Sequence, residues 1–306
     1  MNNQNSNAIN MFKRQTSGTC ACLSCNQLIS VSDQTCPNCK RKNPSLWGYS
    51  RTLRKLGVDF GFTKIIIWGC LGLYAATLLI DLEHIKNDGI SNLLSPSITS
   101  LWLFGASGST PVFEWGCWWT LLSAGWLHGS LLHVAFNMAW VSNLALQVAA
   151  AFGAGRLVII YTIAIISGFL ASSLAGEFLP ASFHGASTAI GASGGIFGLL
   201  GALVAYGQTT KDFTVKQEAW TLAIVMFVIG AITPQVDNWG HFGGFVGGFL
   251  ISKIPGISAR KPEGMGQFML AIGCLTLTLL SILAAISHAY ALNFFDLPAL
   301  KMLQPN

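Results

Sequence analysis

The sequence predicts an all-α polytopic membrane protein: seven apolar helices behind a small N-terminal zinc ribbon. Three observations predict it. Only 9% of the 306 residues are charged and 52% are hydrophobic, against about 25% charged in ordinary globular chains. Seven apolar stretches recur, roughly at 62–80, 131–150, 157–175, 191–206, 219–234, 239–252 and 267–288. Two CxxC pairs, Cys22-Leu-Ser-Cys25 and Cys36-Pro-Asn-Cys39, lie ten residues apart near the N-terminus. This composition excludes a disordered chain, a secreted disulfide scaffold and an ordinary nucleic-acid binder, so no nucleic-acid partner is expected.

The ribbon occupies residues 1–45 in this reading. Each CxxC bends two thiolates onto one metal, and two such knuckles complete a tetrahedral Zn(Cys)4 site from Cys22, Cys25, Cys36 and Cys39. A redox CxxC or unpaired thiols are the alternative. Cys20 is a spare that can compete as a ligand, while Cys70, Cys117 and Cys274 sit in apolar surroundings and read as packing residues. So small a segment lacks a core and is expected to fold only with its metal, in a reducing compartment. Its polar, Asn-rich start does not read as a signal peptide. Residues 46–61 follow as a basic juxtamembrane linker. There Leu46, Tyr49/Ser50, Leu53 and Leu56 recur at helical spacing among Arg51, Arg54 and Lys55, as in an amphipathic helix on a membrane surface; a plain linker is the alternative.

A bilayer needs about 20 apolar residues per helix. The fourth and sixth stretches fall short of that and are rich in Gly. Between the first two spans lies a greasy segment, 81–130, carrying Trp102, Trp115, Trp118, Trp119 and Trp126, which suits partial immersion at the interface. With the N-terminus placed in the cytoplasm, inside segments hold fifteen Lys/Arg and outside segments only Lys86 and Lys301. That bias agrees with the reducing side required by the thiolates.

Polar residues at lipid depth are costly and point to function. His133 and Asn137 share one face of the second span. Ser193 opens the fourth within Gly191-Ala-Ser-Gly-Gly-Ile-Phe-Gly198, and His241 opens the sixth within Gly240-His-Phe-Gly-Gly-Phe-Val-Gly-Gly248. These three spans run from outside to inside, so all four residues share one depth near the outer face. Gly194, Gly198 and Gly201 on the fourth span, with Gly244 and Gly248 on the sixth, let the two backbones approach closely. Ser193 and His241 then come within hydrogen-bond reach as nucleophile and general base. No acid sits near enough in sequence to name a third triad member; Asp237 is the only candidate and reads as part of an aqueous loop, so a dyad is the sparer reading. Free amides near Ala192 and Ser193, with His133 and Asn137, form a candidate oxyanion hole. Taken singly, each of these patterns also fits helix packing, an interhelical hydrogen bond in a transporter or a satisfied buried histidine. His84, His128, His184, His288 and Gln147 read as interface or structural residues.

Together the motifs resemble those of the rhomboid family of intramembrane serine proteases. The match comprises Trp118-Trp119, His128-x4-His133-x3-Asn137, Gly191-Ala-Ser193-Gly194 and His241-x2-Gly244-x3-Gly248, and spans about 62–252. The resemblance implies a six-helix catalytic core over 62–252, with 253–306 holding a loop, a seventh C-terminal transmembrane helix and a tail. It implies Ser193 as nucleophile and His241 as base. His133, Asn137 and the Ala192/Ser193 amides would contact the oxyanion. His128 would be structural, and Gly191 would keep the approach to the serine narrow. It also implies cleavage of single-span membrane proteins near their outer end, at small residues in helix-destabilising stretches, with no catalytic cofactor. Some family members carry an N-terminal zinc ribbon. One departure stands out: the family commonly places Arg after the Trp of the outer loop and Glu near the end of the second span. Here Thr120 follows Trp119 and 145–152 holds no acid, so the 81–130 segment lacks that polar tie.

The expectation is therefore a serine endopeptidase of the cell (inner) membrane. Its N-terminus is cytoplasmic, its site opens to the outer face, and the ribbon binds an unidentified partner. A catalytically silent escort of membrane proteins is the rival. A transporter would show inverted repeats, and none is visible.

Overall fold

The computed structural model describes residues 14–180, 185–233, 236–259 and 262–291. His184, Lys13, Arg260, Lys261 and Lys301, all used in the sequence reading, lie outside the described residues. The described residues begin with two short antiparallel strands, β1 (Thr19–Ala21) and β2 (Leu28–Ser30), with Cys20 opposite Ile29. Their small core is Cys20, Cys22, Ile29 and Cys36. Within 46–61 only Ser50–Lys55 is helical. The expected helix does not start at Leu46, because Leu46 and Trp47 take left-handed φ of 46° and 53°, which breaks a right-handed helix.

Seven helices then follow at the positions of the apolar stretches: Phe62–Leu79, Leu131–Phe152, Ala154–Phe178, Ser193–Thr210, Phe213–Ile232, Asn238–Ile251 and Met265–Ala291. They are called here the first to seventh spans. The second and third are joined by Gly153 alone, at φ 103°, a conformation that costs a glycine little and turns the chain without a loop. Five spans are long and apolar enough to cross a membrane: the first, second, third, fifth and seventh. Together with the domain match given below, they mark this as an integral membrane protein.

The fourth and sixth, short or less apolar, form the centre. Every residue of the fourth span from Gly194 to Ala205 is buried, and the sixth packs along both the fourth and the third. The fourth, surrounded by protein, has no need to match lipid, whereas the sixth turns Gly240, Gly243, Gly244 and Gly248 inward and exposes Phe242 and Leu250. Around them the second and third spans contribute Val141, Leu144, Val148, Ile160 and Tyr161 to one continuous core with Ile196, Leu199 and Leu200. The fifth span leans on the fourth and exposes Ile224, Val225, Val228, Ile229 and Ile232, a face suited to lipid.

Contact between the fourth and sixth spans is backbone to backbone. A methyl group on Gly244 would run into the carbonyl of Gly194, and one on Gly248 into the carbonyl of Gly198. Gly168 of the third span adds a third such contact, where a methyl would lie 2.7 Å from the Gly240 carbonyl oxygen.

The 81–130 segment is folded over the bundle rather than spread as a loop. Leu101, Leu103, Ala106, Val112, Trp126 and Leu127 are buried in it. Although the Arg–Glu pair is missing, other ties hold the segment. Thr120 Oγ1 donates to the Cys117 carbonyl at 2.7 Å, and Ser123 Oγ to the Gly105 carbonyl at 2.8 Å. Ser107 and Ala189 exchange two backbone hydrogen bonds of 3.0 and 2.7 Å. The seventh span adds His288, edge-on to Trp119 at 5.4 Å and 3.6 Å from Cys117 Sγ.

Gly248→Ala tests the close approach. The added methyl meets backbone, which cannot rotate away, so the expected loss is about 1–3 kcal/mol, measured as unfolding of the detergent-solubilised chain. Gly266→Ala, where no atom lies within 4 Å of the added carbon, is the control and should unfold as the parent does.

Candidate functional site

The polar residues at the start of the second, fourth and sixth spans are gathered at one end of the bundle, and side-chain caps fix the first turns of the second and sixth. Ser130 caps the second span, its Oγ accepting from the His133 amide at 3.3 Å. Asp237 caps the sixth, its Oδ1 accepting from the Gly240 amide at 3.0 Å. Asp237, expected in an aqueous loop, is instead the N-cap of the sixth span, its carboxylate engaged by the helix N-terminus, where free N–H groups favour an anion.

His241 is 7% exposed and doubly constrained. Its ring stacks on Phe197, with centroids 4.2 Å apart and planes 15° from parallel. Phe197 is four residues after Ser193 and so lies on the same face of the fourth span. On its other side, Nδ1 of His241 lies 3.2 Å from Asn238 Oδ1. An amide oxygen only accepts, so Nδ1 carries the proton and Nε2 keeps the lone pair. Ser193 is half-buried and makes no hydrogen bond to His241 among the described residues. Such bonds are often loose without substrate.

Gly191, at φ 124°, lies between His133 and Ser193. A methyl there would sit 2.8 Å from His133 Nε2 and 3.8 Å from Ser193 Oγ. His133 Nδ1 accepts from the Gly129 amide at 3.3 Å, which makes Nε2 the protonated nitrogen, a donor next to the serine. Asn137 is buried, and its Nδ2 donates to the His133 carbonyl at 3.0 Å, so in this state the amide does not reach Ser193. His128 is fully buried, with its ring edge-on to that of His133 at 5.0 Å. Ala192 is fully buried beneath the serine.

At the opposite end of the bundle lies a second cluster. The sulfurs of Cys22, Cys25, Cys36 and Cys39 all fall within 4.8 Å of one another, with Cys22–Cys39 at 3.7 Å and Cys25–Cys36 at 3.6 Å. A Zn–S bond of about 2.3 Å puts tetrahedral sulfurs about 3.8 Å apart, so four thiolates here can hold one metal ion. Cys20, on β1, is not in the cluster. The thiols also respond to their crowding. At Cys25 burial raises the pKa, but hydrogen bonds from the Gln27 amide, Asn38, Cys39 and Cys36 outweigh it and bring it down to about 6. At Cys39 burial and the three other thiols push it up to about 12.

Residues 116–256 match the family model described as the rhomboid domain. The chain carries a rhomboid domain. Over 168 residues it is 35% identical to RHOMBOID-like protein 5 of Arabidopsis thaliana, covering 53% of this chain and 52% of that protein. Over 180 residues it is 30% identical to Rhomboid protease GluP of Bacillus subtilis, covering 58% of this chain and 33% of that protein. It is also 29% identical over 159 residues to Inactive RHOMBOID-like protein 8 of Arabidopsis thaliana, covering 50% of this chain and 43% of that protein. The chain thus spans about half or less of the length of these curated relatives. The matched part of the rhomboid domain holds His128, His133, Asn137, Ser193 and His241, and lies entirely outside the four-cysteine cluster.

The sequence reading missed Asn238 and Phe197. Both were in reach, one helical turn from His241 and Ser193 respectively, but neither carries chemistry that singles it out. Gly191→Ala should move His133: the methyl meets its ring in a strained backbone conformation. Labelling of Ser193 by a fluorophosphonate is expected to slow by about tenfold or more, the effect of a shift worth about 1.4 kcal/mol. Gly116→Ala, also at positive φ but with nothing within 4 Å, should label as the parent does.

Proposed function

We propose that this rhomboid-family membrane protein is an intramembrane serine endopeptidase that cuts single-span transmembrane proteins with a Ser193–His241 dyad. The observation that carries the reading is the stack of His241 on Phe197, one turn along the helix face that begins with Ser193. With Nδ1 bonded to Asn238, Nε2 is the base. Ser193 Oγ attacks the scissile carbonyl carbon while its proton passes to Nε2. The negative oxygen is held by the Ala192/Ser193 amides, by the Nε2–H of His133 and by Asn137, once the latter turns from the His133 carbonyl. The imidazolium then protonates the departing amine. Water attacks the acyl-enzyme, giving one proton to His241, and that proton returns to Ser193 as the new carboxyl end leaves. No cofactor enters these steps. His128 supports the His133 ring, and Gly191 leaves room for the substrate strand.

Relatedness to a named protease, GluP, supports this reading. The charge bias supports a cytoplasmic N-terminus in the cell (inner) membrane and a site opening to the outer face. Zinc in the Cys22, Cys25, Cys36 and Cys39 ribbon is structural. Likeness to a relative named inactive favours a second reading, a silent escort that binds membrane proteins; the presence of both Ser193 and His241 favours the enzyme.

Cleavage of a reporter transmembrane substrate by the purified chain is the deciding measurement. Ser193→Ala and His241→Ala should each lower it by about 10³-fold or more. Equal cleavage by all three proteins, or binding without cleavage by the parent, would remove the protease. Asn238→Ala should lower kcat by about tenfold with KM unchanged and shift the acid limb of the kcat–pH profile, because it frees the His241 ring and its tautomer. Asn238→Asp, which still accepts from Nδ1, should retain most of the rate.

A further inference from the structure

The four-cysteine ribbon is docked on the chain's own bundle, and the residues that dock it come from the two metal knuckles. Ser24 lies inside the first knuckle, and Arg41 follows the second by two residues. Ser24 Oγ donates to the backbone carbonyl of Glu263. Arg41 Nη1 donates to that same carbonyl at 3.1 Å and to Ser24 Oγ at 2.9 Å. Arg41 is 5% exposed, an unusual depth for an arginine on so small a module. A third tie runs from Arg54 Nη2 to the Cys22 carbonyl at 2.6 Å, linking the first knuckle to the Ser50–Lys55 helix.

Glu263 is the point where the ribbon meets the bundle. It lies just before the seventh span and is itself 7% exposed. Its carboxylate accepts from the Arg156 amide at 2.8 Å in the first turn of the third span, and it packs over Gly153 and Gly155, where a methyl would lie 2.9 and 2.8 Å from its carboxyl atoms. Arg156 in turn donates to the carbonyls of Gly256 at 3.1 Å, Phe152 at 3.2 Å and Pro262 at 3.4 Å. One residue therefore joins the ribbon, the turn between the second and third spans, and the entry to the seventh.

The positions of Ser24 and Arg41 depend on the metal. Apart from its cysteines the ribbon core holds Ile29, with Val31 packed against it, too little to fold unaided. Metal binding supplies the folding free energy in such modules.

We infer that the metal-loaded ribbon is an internal clamp. The partner its knuckle face fits is the Pro262–Glu263–Gly264 stretch of its own chain, and loss of the metal releases that stretch and the start of the third span. The inference does not depend on the protease reading.

Hydrogen exchange on the full chain in nanodiscs tests it, with zinc content measured in parallel. The parent should hold about one zinc. Stripping the zinc with a chelator should lower amide protection in 153–158 and 262–267 by about tenfold or more, leave the fourth and sixth spans protected, and be reversed by added zinc. Arg41→Gln keeps all four cysteines, so it should retain zinc yet lose the same protection. Unchanged protection on stripping, full protection in zinc-loaded Arg41→Gln, or no zinc bound by the reduced parent would each overturn the clamp.

Discussion

The molecule depends on the backbone contact between the fourth and sixth spans. Where Gly244 meets Gly194 and Gly248 meets Gly198, no side chain separates the helices, so their relative position is set by main-chain atoms that have no rotamers. Residues that open these helices inherit that fixity. Ser193 and His241 are held in register because the helices beneath them cannot slide without collision. The strongest constraint in the fold thus lies directly below the most chemically capable residues.

A second regularity is that polar groups at the helix starts are assigned before any substrate arrives. Asp237 caps its own helix, Asn238 fixes a tautomer, and Ser130 holds the first turn beneath His133. Among the described residues, Ser193 is the one that makes no such bond. That division suits a site in which several groups orient and one reacts. It also accounts for the proposed dyad leaving out a nearby acid: the carboxylate of Asp237 is occupied by a helix end, and the amide oxygen of Asn238 faces the His241 ring instead.

Much of this was legible in the sequence, because lipid makes the code simple. Apolar runs become helices, and all seven appeared in order, the two short ones included. Polar residues inside such runs are few enough that His133, Asn137, Ser193 and His241 stood out, and glycine spacing pointed to the helices that touch. What stayed hidden was contact between distant segments with no periodic signal. Arg156 and Glu263 are 107 residues apart, and nothing in either neighbourhood announces the other. The docking of Arg41 and Ser24 was equally invisible, since a basic residue beside a zinc knuckle reads as solvated. Helix onset at 50 rather than 46 was missed because left-handed Leu46 and Trp47 contradict the apolar spacing that predicted a longer helix.

The seventh span reaches both ends of the bundle. At one end Gln267 holds Gly264 and Gly256 beside the ribbon; at the other, Ala285 sits against Gly105 and His288 against Trp119. It therefore acts as a strut that joins the four-cysteine end of the bundle to the 81–130 segment at the other. Its contacts with Gly105, Cys117 and Trp119 brace a segment that has no Arg–Glu pair to hold it.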